Sequence, residues 1–441
     1  MKETIIQFGE GNFLRGFVDY FIETLHQKGL YDGKVVVVQP RIHGKARQLQ
    51  EQNCKYNLFL RGMTNGKLVD EHIVINSISR AIDPYTDFNS YINLANNKNF
   101  RFIISNTTEA GIEFVESDSY NDRPAKTFPG KLTQLLYRRY KNGLSGLVVL
   151  CCELIDNNSM KLKECILKYA QLWKLENGFF NWIETEMEFA NTLVDRITPG
   201  YPVDNLQEFS SRISFKDHYI DVAEIYHLWV IEGNYENELP LRRAGLNIIW
   251  TDNVLPYKKR KVRILNGCHT AMVTGGLIYG KKTVKDCLND ELVCSFIETC
   301  LNDEILPCLE NNHDDKIFAR QVLERFENPY IEHRLESIAL NSISKFKERI
   351  LPTIEEYHLQ FGKYPEALVA SLASLIFYYQ EFNPEDDKNA IIFIRENNIV
   401  DILGNANLWG HNISRLSDIV EKYISILKVK GIEDFYRTAA S

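Results

Sequence analysis

The N-terminal stretch constrains the fold most. Thr4-Ile5-Ile6-Gln7-Phe8 is short, apolar and β-branched, and it runs straight into Gly9-Glu10-Gly11. Phe13, Leu14, Phe17, Val18, Phe21, Ile22 and Leu25 then recur at the spacing of a helix with one buried face. Gly29 is placed to cap that helix at its C-terminal end. Val35-Val36-Val37-Val38 is the unbroken apolar run of a parallel strand covered on both faces. Strand, glycine turn, helix and strand within about forty residues make a βαβ unit.

The same alternation continues. Phe102-Ile103-Ile104 and Leu147-Val148-Val149-Leu150 read as further buried strands, with Leu132, Leu135, Leu136 and Tyr140 marking a helix between them. Asn65-Gly66 predicts a hairpin with a slightly long loop joining residues 57–61 to 69–75. From about Pro256 apolar residues recur at three and four, as in Leu368, Leu372, Leu375 and Ile376. The expectation is an α/β Rossmann-like N-terminal domain, 1–255, and a mostly α-helical C-terminal domain, 256–441. A chain of 441 residues exceeds one compact core, which agrees.

Composition excludes more than it selects. Charged residues make up 25% and the net charge is −8, a poor basis for nucleic-acid or anionic-membrane binding. The longest nearly apolar run, residues 367–379, is too short to span a bilayer, and no secretory h-region leads the chain. Nine cysteines contain no Cys-x-x-Cys, so zinc ribbons and thioredoxin-type motifs drop out and a reducing cytoplasm is expected.

Gly9-Glu10-Gly11 suits a tight turn with close approach of backbone to a pyrophosphate, which predicts dinucleotide binding. The third glycine of the usual fingerprint is replaced by Leu14. The end of the second strand, Gln39-Pro40-Arg41, carries no acid for the adenosine ribose. Arg41 reads as an adenine stack, a 2′-phosphate partner or a solvated loop residue, so NAD and NADP both stay open. Thr107 and Thr108, past the third buried strand, can hydrogen-bond a ribose or cap a helix.

Lys261, Asn266 and His269 share one broad face if residues 257–269 are α-helical. A lysine can move a proton, an asparagine can donate to a carbonyl oxygen, and a histidine can orient a substrate. By themselves these residues more often describe a cationic surface face.

Taken in order, Gly9-x-Gly11-x-Phe13-x-Arg15-Gly16, Thr107-Thr108-Glu109-x-Gly111 and Lys261-x4-Asn266-x2-His269 resemble the mannitol dehydrogenase family of polyol-specific long-chain dehydrogenases, over nearly the whole chain. Residues 7–17, 105–112, 128–131, 152–156, 194–199 and 337–347 resemble the branch acting on tagaturonate and altronate rather than the mannitol or fructuronate branches. The resemblance implies a metal-independent, NAD-linked secondary-alcohol dehydrogenase with its site between two domains. Its cofactor residues would be Phe8, Gly9, Gly11, Asn12, Phe13, Arg15, Gln39, Arg41, Thr107, Thr108 and Glu109. Lys261 would be the acid/base, Asn266 and Asn158 an oxygen-polarising pair, and His269 a positioning residue. The substrate segment after Asn328-Pro329 has His333 and Ser337 where mannitol enzymes tend to carry an acid and an arginine, which disfavours a plain hexitol. Arg263, His333, Ser337, Asn341, Lys345 and Arg349 are therefore expected to receive a sugar acid. Asn341, Lys345 and Arg349, spaced by four, line one face of a helix. Family members are often monomers, and the oligomeric state stays open. The alternative is a fructuronate/mannonate or hexitol 2-dehydrogenase of the same family; a nucleotide-binding regulator without turnover ranks below it, because the intact Lys261, Asn266 and His269 set opposes it.

Overall fold

The computed structural model describes residues 1–310 and 312–441, with side chains for all of these but Glu109. Its strands, in chain order, are β1 (Lys2–Phe8), β2 (Gly33–Val38), β3 (Tyr56–Thr64), β4 (Lys67–Ile75), β5 (Ile78–Ile82), β6 (Phe102–Ser105), β7 (Val148–Cys151), β8 (Glu188–Ala190), β9 (Thr192–Asp195), β10 (Asp221–Glu224), β11 (Leu228–Glu232) and β12 (Ile248–Thr251). The chain forms two compact units. One is Met1–Arg61 with Leu68–Leu255, and the other is Gly62–Lys67 with Pro256–Ser441.

The first unit is built on a wholly parallel sheet of order β5-β2-β1-β6-β7-β8. Counted along the chain, that is the 3-2-1-4-5-6 order of the doubly wound dinucleotide fold. Alternate residues of each strand enter two different cores. Ile5, Val35, Val37, Ile104 and Val148 pack on one face, and Ile6, Phe8, Val36, Val38, Ile103 and Val149 on the other. Burial on both faces is why apolar residues occupy consecutive positions in these strands. The helical run after the glycine turn is divided into Asn12–Arg15 and Val18–Gln27, and the second of these ends as expected. Gly29 has φ +65°. Its N–H donates to the His26 carbonyl and the Leu30 N–H to the Leu25 carbonyl, closing a Schellman cap.

Two smaller sheets, β10-β3-β4 and β12-β11-β9, complete this unit. Asn65 and Gly66 have φ +51° and +70°. These are the two positive values of a type I′ turn, so β3 and β4 run up to a two-residue loop, tighter than expected. Strands β8 to β12 have three to five residues each and were not anticipated. Such lengths hold too few residues to display a period.

The second unit is helical, as expected. Among the described residues beyond β12 the strand-like pairing is an isolated bridge, Thr283 with Arg334. The helix Glu366–Glu381 packs against Gly267–Ile278 and Ser417–Val429. Glu304 accepts the Ala367 and Leu368 N–H groups at 2.8 and 2.7 Å and so caps it. One departure matters. Residues 255–278 are not a continuous α-helix: a π-helical segment, Val262–Asn266, separates Leu255–Lys261 from Gly267–Ile278. Each i→i+5 turn takes an extra residue, so Asn266 and His269 are out of the phase an unbroken α-helix would give them relative to Lys261. Among the described residues no helix is long and apolar enough to cross a membrane.

Candidate functional site

Register aligns the carboxyl ends of the central strands. Phe8 lies opposite both Val38 and Ser105, and Ser105 opposite Cys151. Gly9, Gln39, Asn106 and Cys152 therefore form one rim, where open α/β sheets bind their ligands. The ladder extends one step into it: Gly9 N–H donates to the Val38 carbonyl at 3.1 Å and Asn106 N–H to the Phe8 carbonyl at 3.1 Å. Gly9 has φ +127°, and a Cβ there would come within 2.9 Å of the Asn106 carbonyl oxygen. Gly11 opens the short helix Asn12–Arg15, and its missing side chain leaves open space.

The expected cofactor residues divide into a rim and its supports. Phe8 is buried beneath the turn against Phe128, with ring centroids 4.9 Å apart. Phe13 stacks on Phe17 at 4.9 Å. Arg15 is 3% exposed. Its guanidinium donates to Asn12 Oδ1 at 2.6 Å and to the Glu10 and Tyr219 carbonyls at 3.2 and 2.5 Å, which makes it a tie that holds the turn. Gln39 is buried, its Nε2 donating to the Arg41 carbonyl and its Oε1 accepting the Ala46 N–H, so it folds the following loop. Arg41 is exposed.

Thr107 donates its N–H and its hydroxyl to Glu153 Oε1 at 2.9 and 3.0 Å, and Ser105 Oγ donates to Glu153 Oε2 at 3.0 Å. The Thr107 hydroxyl proton is thus committed internally rather than offered to a ribose. Thr108 precedes the turn Glu109–Gly111 with φ +77° and makes no side-chain cap, so its capping role is absent. The expectation for Glu109 falls on a side chain outside the described residues. Glu153, whose carboxyl burial pushes up, was missed. Only the folded rim brings a residue past β7 to those past β6.

Asn158 requires a correction. It is 1% exposed. Its Nδ2 donates to the Cys151, Glu153 and Thr192 carbonyls at 2.9, 3.1 and 3.0 Å. Its Oδ1 accepts the Ser159 and Thr192 N–H groups. Two amide hydrogens already facing three acceptors leave nothing for a substrate oxygen. Asn158 pins β7 to β9.

In the second unit the helix ends gather a cationic cluster. The His269 ring stacks on Phe326 at 4.3 Å and meets His333 edge-on at 5.3 Å. Its Nε2 is buried without a hydrogen-bond partner among the described residues. Burial, then His333, Arg325 and Arg349, hold its pKa well below the usual value. Burial and Arg325 lower His333 similarly. Arg349 Nη1 reaches Thr270 Oγ1 at 3.4 Å, and Thr270 donates to the Asn266 carbonyl at 2.9 Å. Lys345 donates to the Ile338 carbonyl at 2.9 Å, with its pKa lowered by burial and by Arg349. Arg325, from the helix His313–Phe326, had no place in the sequence reading, because its approach to His269 is purely tertiary.

Other expected residues fall differently. Arg263 is buried, donating to Thr353 Oγ1 at 2.7 Å and pairing with Glu356 at 3.2 Å. That makes it an internal tie rather than an open anion receptor. Asn341 is exposed and precedes the helix Ser342–Arg349 in a left-handed conformation, so Lys345 and Arg349 alone of the three lie within it. Ser337 is exposed, and Lys261 and Asn266 are half-buried. Among the described residues no group of three or more His, Cys, Asp or Glu is arranged to hold a metal ion.

A doubly wound parallel sheet carrying a glycine turn, followed by a mostly helical unit, defines a two-part dehydrogenase architecture, and the chain belongs to the mannitol dehydrogenase family. The family's Rossmann domain matches residues 3–242 and its C-terminal domain residues 253–427. The chain is similar to an altronate oxidoreductase of Bacillus subtilis (strain 168), 47% identical over 98% of this chain and 94% of the relative. It is also similar to one of Phocaeicola vulgatus, 39% identical over 98% and 95%. Among solved structures, a substrate-free D-sorbitol dehydrogenase matches with TM-score 0.86 at 21% identity, covering 100% of this chain and 95% of the other. Pseudomonas fluorescens mannitol 2-dehydrogenase, in ternary complex with NAD and D-mannitol, matches with TM-score 0.74 at 22% identity, covering 99% and 94%.

Proposed function

We propose that this protein interconverts D-tagaturonate and D-altronate with NAD(H), and that the cytoplasm is where it works. The observation that carries the substrate class is the pair Arg325 and Arg349 beside His269, with His333 next to Arg325 and Lys345 next to Arg349. A chain of net charge −8 that concentrates cations beside two half-buried histidines whose pKa values are held down is suited to an anionic substrate. The likeness to altronate oxidoreductases supports the same choice. The nine free cysteines fit a reducing compartment.

The cofactor is assigned to 1–255 and the proton chemistry to 256–441. The rim fits a dinucleotide because Gly9 tolerates no side chain and Gly11 leaves its backbone open. NADH, when bound, supplies hydride to the keto carbon. Lys261, as ammonium, gives its proton to the oxygen on which charge develops, and as neutral amine takes it back in the reverse direction. The Asn266 amide donates to that oxygen. With Asn158 committed to the backbone, Asn266 acts without the expected partner. His269 positions the substrate, and Arg325, Arg349 and Lys345 receive its carboxylate.

The test is NADH oxidation across tagaturonate, fructuronate and neutral ketohexoses. Tagaturonate is expected to have the highest kcat/KM; a neutral sugar turning over faster would sink the reading. Lys261→Ala is expected to lower kcat by about 10²–10⁴ while NADH affinity holds.

A further inference from the structure

Doubly wound dehydrogenases usually hold the adenosine ribose with an acid at the end of the second strand. Here that position is Gln39, 2% exposed. Its amide is engaged by the Arg41 carbonyl at 2.8 Å and the Ala46 N–H at 3.1 Å. The loop it folds carries Arg41, His43 and Lys45, all exposed. By charge alone, such a loop would welcome a 2′-phosphate.

A carboxylate nevertheless stands there, delivered from the other strand. Glu10 lies between the two glycines of the turn, two residues past Phe8, which pairs with Val38 at the end of β2. Its Oε1 accepts the Lys45 N–H at 3.1 Å. Gly44 is wedged against both side chains: a Cβ there would come within 2.3 Å of Gln39 Cδ and 2.4 Å of Glu10 Oε1. Arg15, donating to the Glu10 carbonyl at 3.2 Å, fixes the backbone from below. The carboxyl is largely removed from water, and burial pushes its pKa up, a cost that hydroxyl donors from a ligand would offset.

We propose that Glu10 replaces the missing acid of β2: it accepts the adenosine ribose hydroxyls and repels a 2′-phosphate, setting the preference for NAD(H) over NADP(H). This rests on the reading of the rim as a dinucleotide site. Arg41 opposes Glu10, so the preference is the balance of one carboxylate against one guanidinium.

The experiment measures Kd for NADH and NADPH by nucleotide fluorescence in wild type, Glu10→Gln and Arg41→Ala. Glutamine keeps an acceptor for Lys45, and the thermal midpoint reports on folding. Wild type is expected to favour NADH. Glu10→Gln is expected to cut the Kd ratio by about 10-fold or more, chiefly through tighter NADPH, because a like charge has been removed. Arg41→Ala, an exposed change that leaves the fold untouched, is expected to widen the ratio. Equal weakening of both nucleotides in Glu10→Gln would make Glu10 a loop support and overturn the proposal, as would an unchanged ratio. Wild type binding both equally would overturn it while leaving the dinucleotide reading intact. Wild type binding neither would overturn both.

Discussion

Asn158 shows how far one residue's chemistry depends on what surrounds it. Its amide is enclosed by backbone groups of β7, β9 and the intervening loop. Asn158→Ala strands several buried polar groups and is expected to cost about 3 kcal/mol or more of unfolding free energy. Urea denaturation checks this, and residual activity should track the folded fraction. A variant that stays as stable as wild type while losing turnover would return Asn158 to the chemistry. Arg263 follows the same logic, since pairing with Glu356 and Thr353 gives it a packing role. Neither fate is legible in sequence, because the partners are brought together by folding.

At the scale of elements, the helix Val18–Gln27 carries Asp19 into the core beneath the glycine turn. Asp19 is 0% exposed, with Oδ2 accepting from Gln7 at 3.3 Å and Tyr56 at 3.4 Å. Burial pushes its pKa up to about 7, opposed by Gln7, Arg15 and Tyr56 and reinforced by Asp221. The folded protein therefore holds a proton that the unfolded chain releases near 3.8. Stability from this group is full below the unfolded value and is lost as pH rises through about 7. Asp19→Asn should remove that loss, raising the unfolding free energy from urea denaturation more at about pH 8 than at about pH 5, by up to about 3 kcal/mol. A pH-independent difference between variant and wild type would contradict this account. The strands β1, β2, β6 and β7 and the first helix were legible because their burial pattern repeats within a few residues. The π segment Val262–Asn266 was not, since it interrupts the period used to place Lys261, Asn266 and His269.

For the whole molecule, net charge and local charge point in opposite directions. The sum is −8, while Arg325, Arg349 and Lys345 gather within the second unit. If that cluster receives a carboxylate, raising salt from about 20 mM to about 500 mM should raise KM for the uronate several-fold. KM for a neutral ketohexose should move little. Parallel changes for both substrates would remove the cluster from carboxylate recognition.

The sequence by itself determined the βαβ beginning, the glycine turn, the helical character after Pro256 and the order of the motifs, all carried by neighbours within a turn or a strand. Tertiary structure alone decided the strand order of the main sheet, the rim that seats Glu153 and Glu10, the commitment of Asn158 and Arg263, and the arrival of Arg325 beside His269. The physical reason is one of range. Periodicity reports which face of an element is buried, whereas a polar side chain's role is set by the partners that remain when distant segments meet.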